Sequence, residues 1–212
     1  MTPRGGASLL GLAVLAPLSL VLTTTVNRLS GAWLVTHAPG WAWLADACVP
    51  STMAALLVYL AIRPQRPFGR PEPGTLWPRL LRLGAVWLGI WIAACTVYAW
   101  RLGHWPAYAK GPAPVAAFVL IAPFGEEMLF RGALYELTER TWPRAALFVS
   151  TLFFSLHHFE LHGFRATRAA LAQVGFTLVM GWIFGRFRKT SGSLWPGLGL
   201  HVLTNLPNAF GT

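Results

Sequence analysis

Residues 121–132, Ile-Ala-Pro-Phe-Gly-Glu-Glu-Met-Leu-Phe-Arg-Gly, set three charges inside an apolar run. On insertion scales a central Glu or Arg costs roughly 2.5 to 3.5 kcal/mol, whereas each Leu, Ile, Val or Phe returns only about 0.3 to 0.6 kcal/mol. A helix over residues 115–134 therefore needs protein around those charges, not lipid alone.

The surrounding composition makes a membrane the setting. The 212 residues are 55% hydrophobic and 11% charged, and the mean hydropathy is +0.51, well above what a soluble domain of this size requires. The net charge of +10 does not point to nucleic acid, because the basic residues lie between apolar runs and are not gathered on one face. Cys48 and Cys95 both fall in apolar runs without disulfide or zinc spacing. Many of the eleven tryptophans, among them Trp41, Trp77, Trp100 and Trp195, stand near run ends as interfacial anchors.

Apolar runs occur at about residues 7–26, 43–62, 80–100, 115–137, 145–158, 169–185 and 194–210. The pattern predicts an all-α, polytopic transmembrane bundle of about seven helices, forming a single integral membrane domain over residues 1–212. The first run reads as an uncleaved helix, Pro50 as a kink in the second, and residues 63–77 as a Pro-rich connector. With that connector cytoplasmic, eleven basic residues fall inside and five outside, while Arg131 lies within the membrane. This places the N-terminus in the cytoplasm and the C-terminus outside. No internal repeat is evident.

Glu126 would lie ~16 Å into a helix beginning near Val115, close to the bilayer midplane. Glu127 and Arg131, spaced i, i+4, can neutralise each other on one face. Glu126 points about 100° away and has no partner within its own helix. Two later runs bring further polar groups, His157 and His158 at the end of one and His201 with Asn205, again i, i+4, in the other. An intramembrane ionisable group is a functional hypothesis by default.

This set has the parts of a hydrolase. A carboxylate shielded from bulk water suits a general base, histidines can hold a water, and an amide can stabilise the oxyanion formed when that water attacks a peptide carbonyl. No His-Glu-x-x-His or Gly-x-Ser-x-Gly occurs. His158 and His162 share a helical face, but Glu160 is wrongly placed for a zinc-protease helix. Zinc held by Glu126, His158 and His201 has acceptable ligand types and stays open. Gly181 to Gly185 is a helix-packing spacing.

Three ordered motifs resemble those of the CAAX protease and bacteriocin-processing (CPBP) family of intramembrane endopeptidases. Glu126-Glu127-Met-Leu-Phe-Arg131 matches Glu-Glu-x-x-x-Arg, Phe154-Ser-Leu-His-His158 matches Phe-x-x-x-His, and His201-Val-Leu-Thr-Asn205 matches His-x-x-x-Asn. The resemblance covers a catalytic core of approximately residues 115–210. It implies a glutamic-type peptidase in which Glu126 activates water, His158 and His201 position it, Asn205 aids the oxyanion, and Glu127, Arg131 and Phe154 support the site. Phe153 with His157 satisfies the same spacing, but the serine and leucine before His158 align better. The implied partners are the lipid bilayer and a membrane-associated peptide or protein, cleaved in C-terminal tail or CAAX-like processing or in peptide maturation. Fifteen arginines against two lysines point to a bacterial inner membrane. The competing readings are a proton-coupled transporter with Glu126, His158 and His201 as a relay, and a non-catalytic immunity or scaffold protein.

Overall fold

The computed structural model describes residues 21, 25, 26, 28–42, 44, 49–62, 77–105, 111–159 and 165–210. Among these the chain is all-helical. We number the helices α1 (residues 28–37), α2 (Val49–Ile62), α3 (Trp77–Leu102), α4 (Pro112–Thr141), α5 (Ala146–Phe159), α6 (Arg168–Ser191) and α7 (Trp195–Asn205). The first apolar run falls almost wholly outside the described residues, as do the Pro-rich connector and the Glu160 and His162 positions. Residues 28–37, which hydropathy leaves in a link, are helical instead: Leu29, Trp33, Leu34 and Val35 keep the segment apolar, and no proline interrupts it before Pro39.

Helices α3 to α6 begin within three residues of the expected runs. Pro112 and Pro114 open α4, where a missing N–H goes unneeded. Hydropathy would end α6 at Gly185, but the helix continues to Ser191. Arg188 and Lys189 occupy its last turn, where the helix dipole favours cations, and Gly192, at φ 66°, donates its N–H to Arg188 O.

Three described helices, α3, α4 and α6, are long and apolar enough to cross a bilayer. The chain is an integral membrane protein. Helix α5 has 14 residues and α7 has 11, giving rises of ~21 Å and ~17 Å against ~30 Å of hydrocarbon. The insertion problem of α4 is met by enclosure: 56% of its apolar window is buried, compared with 22% for α3.

Glycines let the neighbours approach. A Cβ at Gly125 would lie 2.8 Å from Thr52 Cα of α2, and one at Gly132 would lie 2.7 Å from the Tyr59 ring. The Gly181 to Gly185 spacing makes the close helix contact expected of it, with Leu147, Thr151 and Phe154 of α5 packed over these two glycines of α6. Helix α7 is tied to α3 through Trp87 Nε1, which donates to Thr204 Oγ1 at 3.2 Å, and Trp91 Nε1, which donates to Thr204 O at 2.7 Å.

Helix α4 is not a regular α-helix. Residues Ala117–Ile121 and Glu127–Leu134 are π-helical, a form that is rare and frequent at functional sites. Pro123 supplies a reason for the first stretch: it has no N–H, and its ring crowds the carbonyl four residues back. The Ala122 N–H accordingly bonds to Ala117 O, five residues back.

Candidate active site

Glu126 is the fifteenth of the 30 residues of α4, at the middle of the helix. Its Oε2 lies 3.9 Å from His158 Nε2 and 3.7 Å from His201 Nε2. Helices α4, α5 and α7 thus bring three of the sequence-selected residues together. Glu126 keeps 19% of its side-chain surface, so the group opens on the Glu126 side. Oε2 itself is buried and makes no hydrogen bond.

Glu127 turns the other way. Its Oε1 lies 3.2 Å from Arg131 Nη1, the i, i+4 pair expected from spacing, and 3.1 Å from His201 Nδ1. Both side chains of the ion pair are buried, and Arg131 Nε and Glu127 Oε2 make no hydrogen bond. Arg131 Nη2 donates to Gly181 O at 3.1 Å, and the guanidinium carbon sits 3.9 Å from the centre of the Phe154 ring. A cation over an aromatic face gains further attraction when desolvated.

Phe154 gathers these groups. Fully buried, it lies under Arg131 and meets the rings of His158 and His201 edge-on, with centroids 4.7 Å and 5.8 Å away. Its carbonyl is 2.8 Å from His158 Nδ1. Because a carbonyl only accepts, Nδ1 of His158 carries the proton. Glu127 assigns the same tautomer to His201, since Nδ1 faces a carboxylate oxygen. Both Nε2 atoms are then lone-pair acceptors turned toward Glu126.

Of the two adjacent histidines, His158 faces Glu126, while His157 packs beside Phe130 with ring centroids 5.6 Å apart. Asn205 lies one turn beyond His201 and donates Nδ2–H to Phe118 O at 3.4 Å. That carbonyl follows from the π-helical register: its usual donor, Ala122 N–H, goes to Ala117 O, and the next residue is Pro123.

Phe184 was not selected from the sequence. It is fully buried and stacks on His201, with centroids 4.8 Å apart and an interplanar angle of 29°. A phenylalanine in an apolar helix carries no signal of such a role. The carbonyls of Gly181 and Phe118 are equally invisible in sequence, because any residue supplies one.

The donor types of Glu126, His158 and His201 suit zinc, but ligands at the usual zinc distances stand about 3.3 Å apart in a tetrahedral shell. The separations of 3.7 and 3.9 Å are wider. Among the described residues no group of three His, Cys, Asp or Glu side chains is arranged to hold a metal ion. An oxygen about 2.8 Å from Glu126 Oε2 and from an imidazole nitrogen spans a gap of this size.

Fold and site together define a helical integral membrane protein with a partly buried carboxylate facing two imidazoles. Residues 109–207, the segment carrying the site, match the family described as type II CAAX prenyl endopeptidase Rce1-like. Comparison with curated proteins and with solved structures gives no match.

Proposed function

We propose that this chain is an intramembrane endopeptidase of glutamic type, acting on a membrane-associated protein or peptide. The observation that carries this reading is the convergence of His158 Nε2 and His201 Nε2 on Glu126 Oε2, from two separate helices, at 3.9 and 3.7 Å.

A water in this group meets three acceptors with two hydrogens. One hydrogen goes to the Glu126 carboxylate, and the imidazoles share the other. The oxygen lone pair is left to attack the peptide carbonyl while Glu126 takes the proton. Collapse of the tetrahedral intermediate breaks the C–N bond, and Glu126 returns that proton to the departing amine. Asn205, an amide with two N–H donors, is the residue we assign to the oxyanion. Glu127, Arg131 and Phe154 hold the histidines in place. No step requires a metal. The substrate class follows the family: a C-terminal tail or CAAX-like segment, or a peptide undergoing maturation, cleaved at the membrane. The charge distribution supports an N-terminus in the cytoplasm and a C-terminus outside, and the arginine-rich composition supports a bacterial inner membrane.

The test is co-expression with membrane-anchored candidate substrates, read by mass spectrometry of the products. Cleavage by wild type that disappears in Glu126→Ala, His158→Ala and His201→Ala supports the reading, and cleavage that survives all three overturns it. A chelator should leave the purified reaction unchanged. A proton-coupled transporter would show substrate-driven flux without any new peptide end.

A further inference from the structure

A second feature involves neither Glu126 nor its histidines. Between α5 and α6 runs a groove of about 430 Å³ lined by Arg144, Leu147, Phe148, Thr151, Leu178, Val179, Trp182 and Lys189. The two helices are antiparallel here, since Leu147 packs on Gly185 while Thr151 and Phe154 pack on Gly181. Arg144, just before α5, and Lys189, at the end of α6, therefore stand at the same end of the groove. Both are exposed. Arg186 adds a third cation near that end, its guanidinium carbon 5.8 Å from the centre of the Trp182 ring. No acidic residue lines the groove.

Below the cations the walls are apolar and open to the membrane: Phe148 is 66% exposed, Val179 51% and Trp182 46%. From Lys189 to Leu178 the groove follows α6 for about 16 Å, against about 15 Å for one leaflet of a ~30 Å hydrocarbon layer. A ligand matching both parts has an anionic head and an apolar tail one leaflet long. Basic pockets between membrane helices take anionic lipid head groups in this manner. We propose that this groove is a binding site for an anionic glycerophospholipid, with the phosphate at Arg144 and Lys189 and one acyl chain lying along Leu147, Phe148, Val179 and Trp182.

The test uses the purified full chain in detergent micelles, with phosphatidylglycerol or phosphatidylcholine of equal chain length added and the retained lipid read by native mass spectrometry. Wild type should retain phosphatidylglycerol preferentially. Arg144→Gln with Lys189→Gln should lower that retention about fivefold for each cation removed, equivalent to ~1 kcal/mol each, while phosphatidylcholine is unaffected. Val179→Trp, which fills the apolar part, should lower retention of both lipids. The proposal is overturned if wild type holds the two lipids equally, or if Arg79→Gln with Arg82→Gln on α3 lowers retention as much as the groove pair. It is also overturned if Val179→Trp has no effect, if glycerol phosphate competes as well as the intact lipid, or if a second copy of the chain covers the groove in place of lipid. Peptide cleavage is not the readout, so this result stands or falls apart from the assignment of Glu126.

Discussion

His201 Nδ1 lies 3.1 Å from Glu127 Oε1, and the same imidazole turns its Nε2 toward Glu126, 3.7 Å away. One ring thus reads two consecutive residues of α4. Glu127, already paired with Arg131, fixes the tautomer and orientation of His201 and leaves the opposite nitrogen as an acceptor facing Glu126. The arrangement separates a closed structural side from an open chemical side.

The open side predicts a loss of activity without a loss of fold. Glu126→Gln removes the proton acceptor yet keeps the shape of the side chain, and Glu126 Oε2 makes no hydrogen bond that folding depends on. Cleavage rate should fall by about 10²-fold or more, with helix content and melting temperature close to wild type. A rate within a few-fold of wild type would remove Glu126 from the mechanism.

The closed side predicts the reverse balance. Arg131→Met leaves Glu127 as an uncompensated buried charge, which typically costs about 3 to 5 kcal/mol. Adding Glu127→Gln removes that charge, so the double variant should recover part of the loss. Thermal unfolding in micelles measures both. If the two losses simply add, the pair is not coupled as the 3.2 Å contact indicates.

Glycine packing beside the site gives a third, internally controlled prediction. A Cβ at Gly181 would fall 2.9 Å from Phe154 and 3.1 Å from Arg131 Nη2, pressing on the ring and the guanidinium together. Gly181→Ala should destabilise by about 1 to 3 kcal/mol, the usual range for overpacking, and lower activity with it. Gly175 lies on the same helix with nothing within 4 Å, so Gly175→Ala should be neutral or stabilising by up to ~1 kcal/mol. Equal effects at the two positions would show that Gly181 is not packed as described.

How far the sequence reaches can be seen at particular residues. Charge in an apolar run singled out Glu126, and the three motif spacings singled out His158 and His201, because ionisable groups are rare in lipid and therefore conspicuous. The i, i+4 rule paired Glu127 with Arg131 and missed His201, since a contact across 74 positions depends on how α7 packs against α4. The positions of α3 to α6 were legible from hydropathy, but the helix at residues 28–37 and the π-helical register of α4 were not. It depends on which donor each carbonyl finds, and at Phe118 that donor is Asn205 from another helix. The extension of α6 past Gly185 was obscured by Arg186, Arg188 and Lys189, which lower hydropathy while suiting a helix C-terminus.

Asn205 carries the last prediction, because two roles meet in it. As the donor to Phe118 O it holds a carbonyl that the Pro123 register deprives of its usual partner. As the donor assigned to the oxyanion it acts only once the carbonyl oxygen becomes negative. Asn205→Ala removes both roles, so loss of activity alone does not tell them apart. Removing an oxyanion donor lowers kcat by about 10² to 10³ and leaves KM nearly unchanged, whereas loosening α7 against α4 lowers the melting temperature and displaces His201 as well. Asn205→Asp keeps the side-chain size but, when ionised, has no donor and meets Phe118 O with repulsion, so it should be at least as damaging. Asn205→Gln retains both amide hydrogens at a longer reach. If Gln restores the melting temperature but not kcat, the oxyanion assignment holds. If it restores both together, Asn205 acts only by securing α7, and the oxyanion donor must be sought elsewhere.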